Sequence, residues 1–142
     1  MADVTPIAAK QHDQRERLLR RLLDAQNAGQ VDEALTCFAR PRYELVGNQR
    51  VYDGPDEVRR YYGMIRRYFP DLHFEVIDVH HGDDAVVCEM WMSGTHLGSG
   101  PEFEATGRRF RCRTAIIFTF EGDGLTGARV YYDTGTIARQ LA

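Results

Sequence analysis

The chain has 142 residues, a formal net charge of −3 at pH 7, 43% hydrophobic residues and 27% charged ones. That length suits one hydrophobic core and is too short for two, so a single domain over residues 1–142 is expected. The charge gives no general attraction to nucleic acid or anionic membranes, and no apolar stretch approaches the roughly 20 residues that span a bilayer.

The chain opens with MADVTPIAAKQHDQRERLL, which lacks the apolar segment of a secretory leader, so the expected location is the cytoplasm. Residues 1–9 read as a flexible lead-in. From Lys10 to Ala28 the leucines Leu18, Leu19, Leu22 and Leu23 have the three-and-four spacing of a one-sided helix, with Gly29 as its stop. VDEALTCF fits a short second helix ended by Pro41, and YELV a brief strand. GPDEVRRYYGMIRRYF is a third helix, with Pro55 in its first turn and an apolar stripe of Val58, Tyr61, Tyr62, Ile65 and Phe69. Pro70 forces Phe69 out of helical geometry.

Beyond Pro70 the hydrophobic period changes to two. Strands are expected at Leu72–His80, Ala85–His96, Arg108–Phe120 and Leu125–Tyr132, joined by HGDD, LGSGPEFEATG and EGDG. Short turns imply antiparallel hairpins, and TGTIARQLA closes the chain as a helical segment. The order predicts an α+β fold in which a strongly curved, mostly antiparallel sheet wraps the helices as a cone-shaped barrel enclosing a pocket.

Alternation indicates what faces inward. In the third of these strands Phe110, Cys112, Thr114, Ile116, Phe118 and Phe120 share one face, and Arg109, Arg111 and Arg113 the other. In the second, Cys88, Met90 and Met92 share the face that ends in His96, provided Gly94 makes no bulge. Trp91 lies on the opposite face. Cys37, Cys88 and Cys112 sit in apolar stretches without metal or redox spacing and read as reduced core residues. HHGDD contains metal-ligand residue types but reads better as a turn, without the spacing of a closed site. The arginines of GRRFRCR read as a solvated or dimer-facing surface rather than a nucleic-acid patch. Gly98 and Gly100 form a GxG that lacks the helix and third glycine of a dinucleotide fingerprint.

RVYDGPDEVRRYYGMIRRYFPDLHFEVIDV, WMSGTHLG, ATGRRF and RVYYD followed by RQLA, taken in this order, resemble the SnoaL-like polyketide cyclases. These belong to the wider superfamily of ketosteroid isomerase and nuclear transport factor two. The resemblance runs from about Val31 to the C-terminus. It implies the α+β cone, a homodimer formed through the outer sheet surface, a small hydrophobic molecule as partner, and chemistry without metal or cofactor. It also implies two catalytic residues: Asp133 as general acid/base and His96, in the GTH motif, beside it. The segment GSGPEFEATG departs from the shorter family pattern before TG.

The chemistry so implied is proton removal next to a carbonyl, for an aldol cyclisation or an isomerisation. An aspartate with pKa about 3.9 is a weak base for this unless burial raises it. The growing enolate then needs a donor, from His96 or a tyrosine. Residues expected to line the pocket are Met90, Met92, Phe118, Tyr62, Phe69, Trp91 and Tyr131. Other readings stay open. Asp133 has the position of an N-cap for the last helix, strict alternation groups it with Arg129 and Tyr131, and His96 taken alone reads as a hydrogen-bonded structural histidine, which only the GTH match sets against a pocket role. A water-activating hydrolase, or a non-catalytic binding or dimerisation module, fits the same fold.

Overall fold

A computed structural model describes residues 7–101 and 103–142. The expected lead-in falls mainly on residues 1–6, outside that range, whereas Ile7 to Ala9 already belong to the first helix, α1 (Ile7–Asn27). Its inward leucines, Leu19, Leu22 and Leu23, are buried. Taking one such leucine from water is worth about 2 kcal/mol. Gly29 ends the helix at φ 71°, while Gln30 N donates to Ala25 O at 2.8 Å and Gly29 N to Gln26 O at 3.1 Å. This paired closure needs a left-handed residue, which glycine adopts without strain.

Helix α2 (Val31–Thr36) leads into a hairpin of β1 (Arg42–Leu45) and β2 (Arg50–Asp53). Strand β2 is absent from the sequence-based expectation. It is short, lies at the sheet margin and shows no buried face, so it carries no alternation to read. Helix α3 (Pro55–Tyr68) follows, and Phe69 leaves helical geometry at φ −131°, as the following proline requires. The remaining elements are β3 (His73–His81), β4 (Ala85–Thr95), β5 (Arg109–Glu121), β6 (Gly124–Tyr132) and α4 (Thr134–Leu141).

Among the described residues, six strands form one sheet in the order β2-β1-β6-β5-β4-β3. Neighbours are antiparallel except β1 and β6, which run parallel. The architecture is α+β, with a sheet that wraps the helices but leaves two free margins instead of closing. Helix α1 packs on β3, α3 on β1 and β2, and α4 on β5.

Pairing of β4 with β5 is unbroken from Ala85↔Thr119 to Thr95↔Arg109, so Gly94 introduces no bulge. The inner face therefore carries Cys88, Met90, Met92, Phe110, Ile116 and Phe118, all buried. On the outer face the Arg111 and Arg113 guanidiniums lie 3.7 and 4.4 Å from the Trp91 ring centroid, two cation–π contacts. All three cysteines are free and buried, and burial pushes the Cys88 thiol up to about 11. Of HHGDD, the two histidines end β3 and residues 82–84 make the turn to β4; His81 Nε2 meets Glu16 Oε1 at 2.6 Å. No helix among the described residues is long and apolar enough to cross a membrane.

Candidate functional site

A chamber opens between the end of α1, helix α3 and the inner face of the sheet, with about 810 Å³ of atom-free space counting its mouth. Its walls are mostly apolar and include Ile65, Phe69, Leu72, Met92, Phe110 and Ile137. No aspartate, glutamate, histidine, cysteine or lysine lines it among the described residues.

Three of its polar groups, from three elements, are joined by hydrogen bonds. Tyr62 stands one turn beyond Val58 on the apolar stripe of α3, Tyr43 points inward by the alternation of β1, and Gln26 follows Leu22 by one turn on α1. The Gln26 Nε2 amide donates to the Tyr43 hydroxyl at 2.7 Å, and the Tyr43 and Tyr62 hydroxyls share a hydrogen bond of 2.6 Å. Two hydroxyl protons serve one bond between the tyrosines, so among the described residues one O–H donor of the pair is unspent. Burial raises the pKa of both, and of Tyr61, so all three remain neutral at physiological pH. Tyr61 stacks on Tyr52 with centroids 4.8 Å apart.

Arg66, one turn beyond Tyr62, supplies the chamber's cation. Its Nη1 donates to Pro70 O at 2.8 Å, while Nη2 is buried without a partner among the described residues. Burial lowers its pKa from the ordinary arginine value.

Of the expected pocket residues, Tyr62, Phe69 and Met92 line the chamber. Met90 and Phe118 face the same way but are consumed in the core beneath α1, at 0% and 1% exposure. Trp91 is outside the sheet, held by its two arginines, and Tyr131 is 41% exposed. Both obey the alternation that turns Met92 and Tyr132 inward.

Asp133 does not reach the chamber. It is the N-cap of α4, accepting from Gly135 N at 3.0 Å and Thr136 Oγ1 at 2.7 Å, with its side chain 67% exposed. Thr136, the Gly135 amide and Arg139 together hold its pKa below the ordinary carboxylate value. The burial that would make it a base is missing, and the shift has the opposite sign. A depressed folded value means that the cap's stabilisation is present above the unfolded pKa and is lost as pH falls through the folded one. Asp133→Ser, which keeps an accepting oxygen and removes the carboxylate, is expected to leave Tm within about 2 °C of the parent. A differential scanning measurement at neutral pH checks this, and a large drop would mean that the charge itself holds α4.

His96 is 6% exposed but also lies outside the chamber, behind Phe69, whose ring centroid is 5.4 Å away. Its Nδ1 is 3.3 Å from Thr106 Oγ1. The glycines after it serve the backbone. Leu97 N and Gly98 N both donate to Tyr68 O, at 3.1 and 3.2 Å, pressing the loop onto the end of α3.

Sequence reasoning thus missed Gln26, Tyr43 and Arg66. For Gln26 and Arg66 a signal existed, since each is a polar residue spaced by four from an inward residue of its helix. Tyr43 gave only the alternation of a four-residue strand.

Solved structures share the fold. TsrD from Streptomyces laurentii superposes with a TM-score of 0.79 at 24% identity, covering 92% of this chain and 96% of that one. A candidate polyketide cyclase from Xanthomonas campestris pv. campestris gives 0.84 at 16% identity, covering 93% and 99%. A Catenulispora acidiphila protein with a ketosteroid isomerase-like fold gives 0.74 at 15%, covering 87% and 90%. No curated protein matches the chain. The sequence model of the SnoaL-like polyketide cyclases matches residues 16–141, nearly the whole chain, and the protein belongs to that family.

Proposed function

We propose that the chamber binds a small hydrophobic carbonyl compound and assists its cyclisation or isomerisation through a neutral tyrosine hydroxyl. The observation that supports this most is the Gln26–Tyr43–Tyr62 chain, with one unspent O–H donor among walls that are otherwise largely apolar. When carbon next to a carbonyl loses its proton, negative charge grows on the oxygen. A fixed donor in a dry site stabilises that charge more than it stabilises the starting ketone. In an intramolecular aldol closure, the electron pair of the α-carbon forms the new bond to a second carbonyl carbon. The oxygen of that carbonyl becomes an alkoxide and takes up a proton.

With no carboxylate or imidazole in the lining among the described residues, the α-proton leaves to water at the open side. This favours substrates whose reacting carbon lies between two carbonyls and is already acidic. The same lack of a base favours, as a second reading, a binding module of the same fold. Tyr43→Phe/Tyr62→Phe is expected to slow ring closure of a β-dicarbonyl panel by about 10²-fold, with affinity changed by less than about threefold. Equal rates in parent and variant would remove the tyrosine role. Binding by the parent with no turnover on any panel member would leave the binding module.

A further inference from the structure

We infer that Arg66 anchors a carboxylate of the bound compound, so that the preferred ligand is a small hydrophobic keto acid; this rests on the chamber being a carbonyl site. Arg66 lines the chamber with Tyr62, one turn earlier on the same face of α3. Its guanidinium has five N–H donors. One bond, from Nη1 to Pro70 O, is made, and the buried Nη2 has none among the described residues.

Among the described residues no carboxylate forms an ion pair with it. Asp71, the acidic group that acts on it electrostatically, is committed to Thr95 N and Thr95 Oγ1, each at 2.7 Å. A C-terminal helix position accounts for the positive charge and for the Pro70 bond. It does not account for a desolvated N–H turned away from water, which is costly unless an acceptor meets it.

On one side the guanidinium packs beside the backbone of Gly29. Gly29 has no side chain, and a Cβ built there would lie 3.9 Å from Arg66 Cζ and Nε. Arg66 as a whole is half-buried beside the exposed Gly29 and Gln30, with Nη2 enclosed, so the ligand's charged end lies near the open side while its apolar body enters. A carboxylate supplies two oxygens matched to the planar fork of arginine, and lysine would not reproduce that fit.

The test uses an acetylnaphthoic acid and its methyl ester, titrated calorimetrically into the full chain. The parent is expected to bind the acid about tenfold tighter than the ester. Arg66→Gln should abolish the preference for acid over ester, and Arg66→Lys should restore only part of it. Equal binding of acid and ester by the parent overturns the anchor, and so does a preference that survives in Arg66→Gln. The parent comparison decides even if the variant folds poorly. Failure of both probes to bind the parent would instead sink the carbonyl chamber itself, and the anchor with it.

Discussion

Gly98→Ala is expected to destabilise the protein by roughly 2–4 kcal/mol, lowering Tm by on the order of 10 °C. A Cβ at this position would lie 1.7 Å from Arg67 O, 2.6 Å from Arg67 C and 3.1 Å from Tyr68 Cα. These are backbone atoms at the end of α3, which cannot swing aside as a side chain can. The loop must lift, and both amide bonds to Tyr68 O go with it. Gly100 provides the control. A Cβ there meets the Tyr68 hydroxyl at 2.2 Å, the far end of a side chain that can move, so Gly100→Ala is expected to cost much less. Thermal melts of the two variants decide the matter. A Gly98→Ala melt within about 2 °C of the parent would show that the loop is not pinned as described.

Phe110→Ala is expected to cost about 3–5 kcal/mol. The ring is 2% exposed and meets Phe69 edge-on, with centroids 4.9 Å apart and planes at 71°. It also lines the chamber, so truncation enlarges a space that already reaches solvent, which places the loss toward the lower end of that range. Phe69, freed on one side, is then expected to loosen against His96. Denaturant unfolding gives the energy, and a loss below about 1 kcal/mol would contradict the packing.

Most of the fold was legible because long amphipathic periods dominate it. The stripe on α3 and the alternation of β4 and β5 specify which faces are buried, and each follows directly from side-chain direction. The hairpin partner β2 was not legible, since four residues at an exposed margin carry no burial pattern. The candidate site was legible only in part. Tyr62, Phe69 and Met92 follow from facing inward, but facing inward does not distinguish a chamber wall from solid core, so Met90 and Phe118 carry the same sequence signal as the wall residues.

Asp133 illustrates a conflict between motif and local chemistry. An aspartate directly before a helix finds two donors within three residues, and that local gain fixes its side chain outside. The functional polar groups instead came from elements far apart in sequence, α1, β1 and α3, and only packing brings them together.

The sheet's two unpaired margins have a consequence of their own. At one end β2 is four residues long, bounded by Arg50 and Asp53, and at the other β3 is broken by a register shift between Val76 and Asp78, among the charged residues Glu75 and Asp78. A short charged rim and a kinked one are both poor templates for a further strand. Fibril-like growth by strand addition is therefore discouraged at each end of the unclosed sheet.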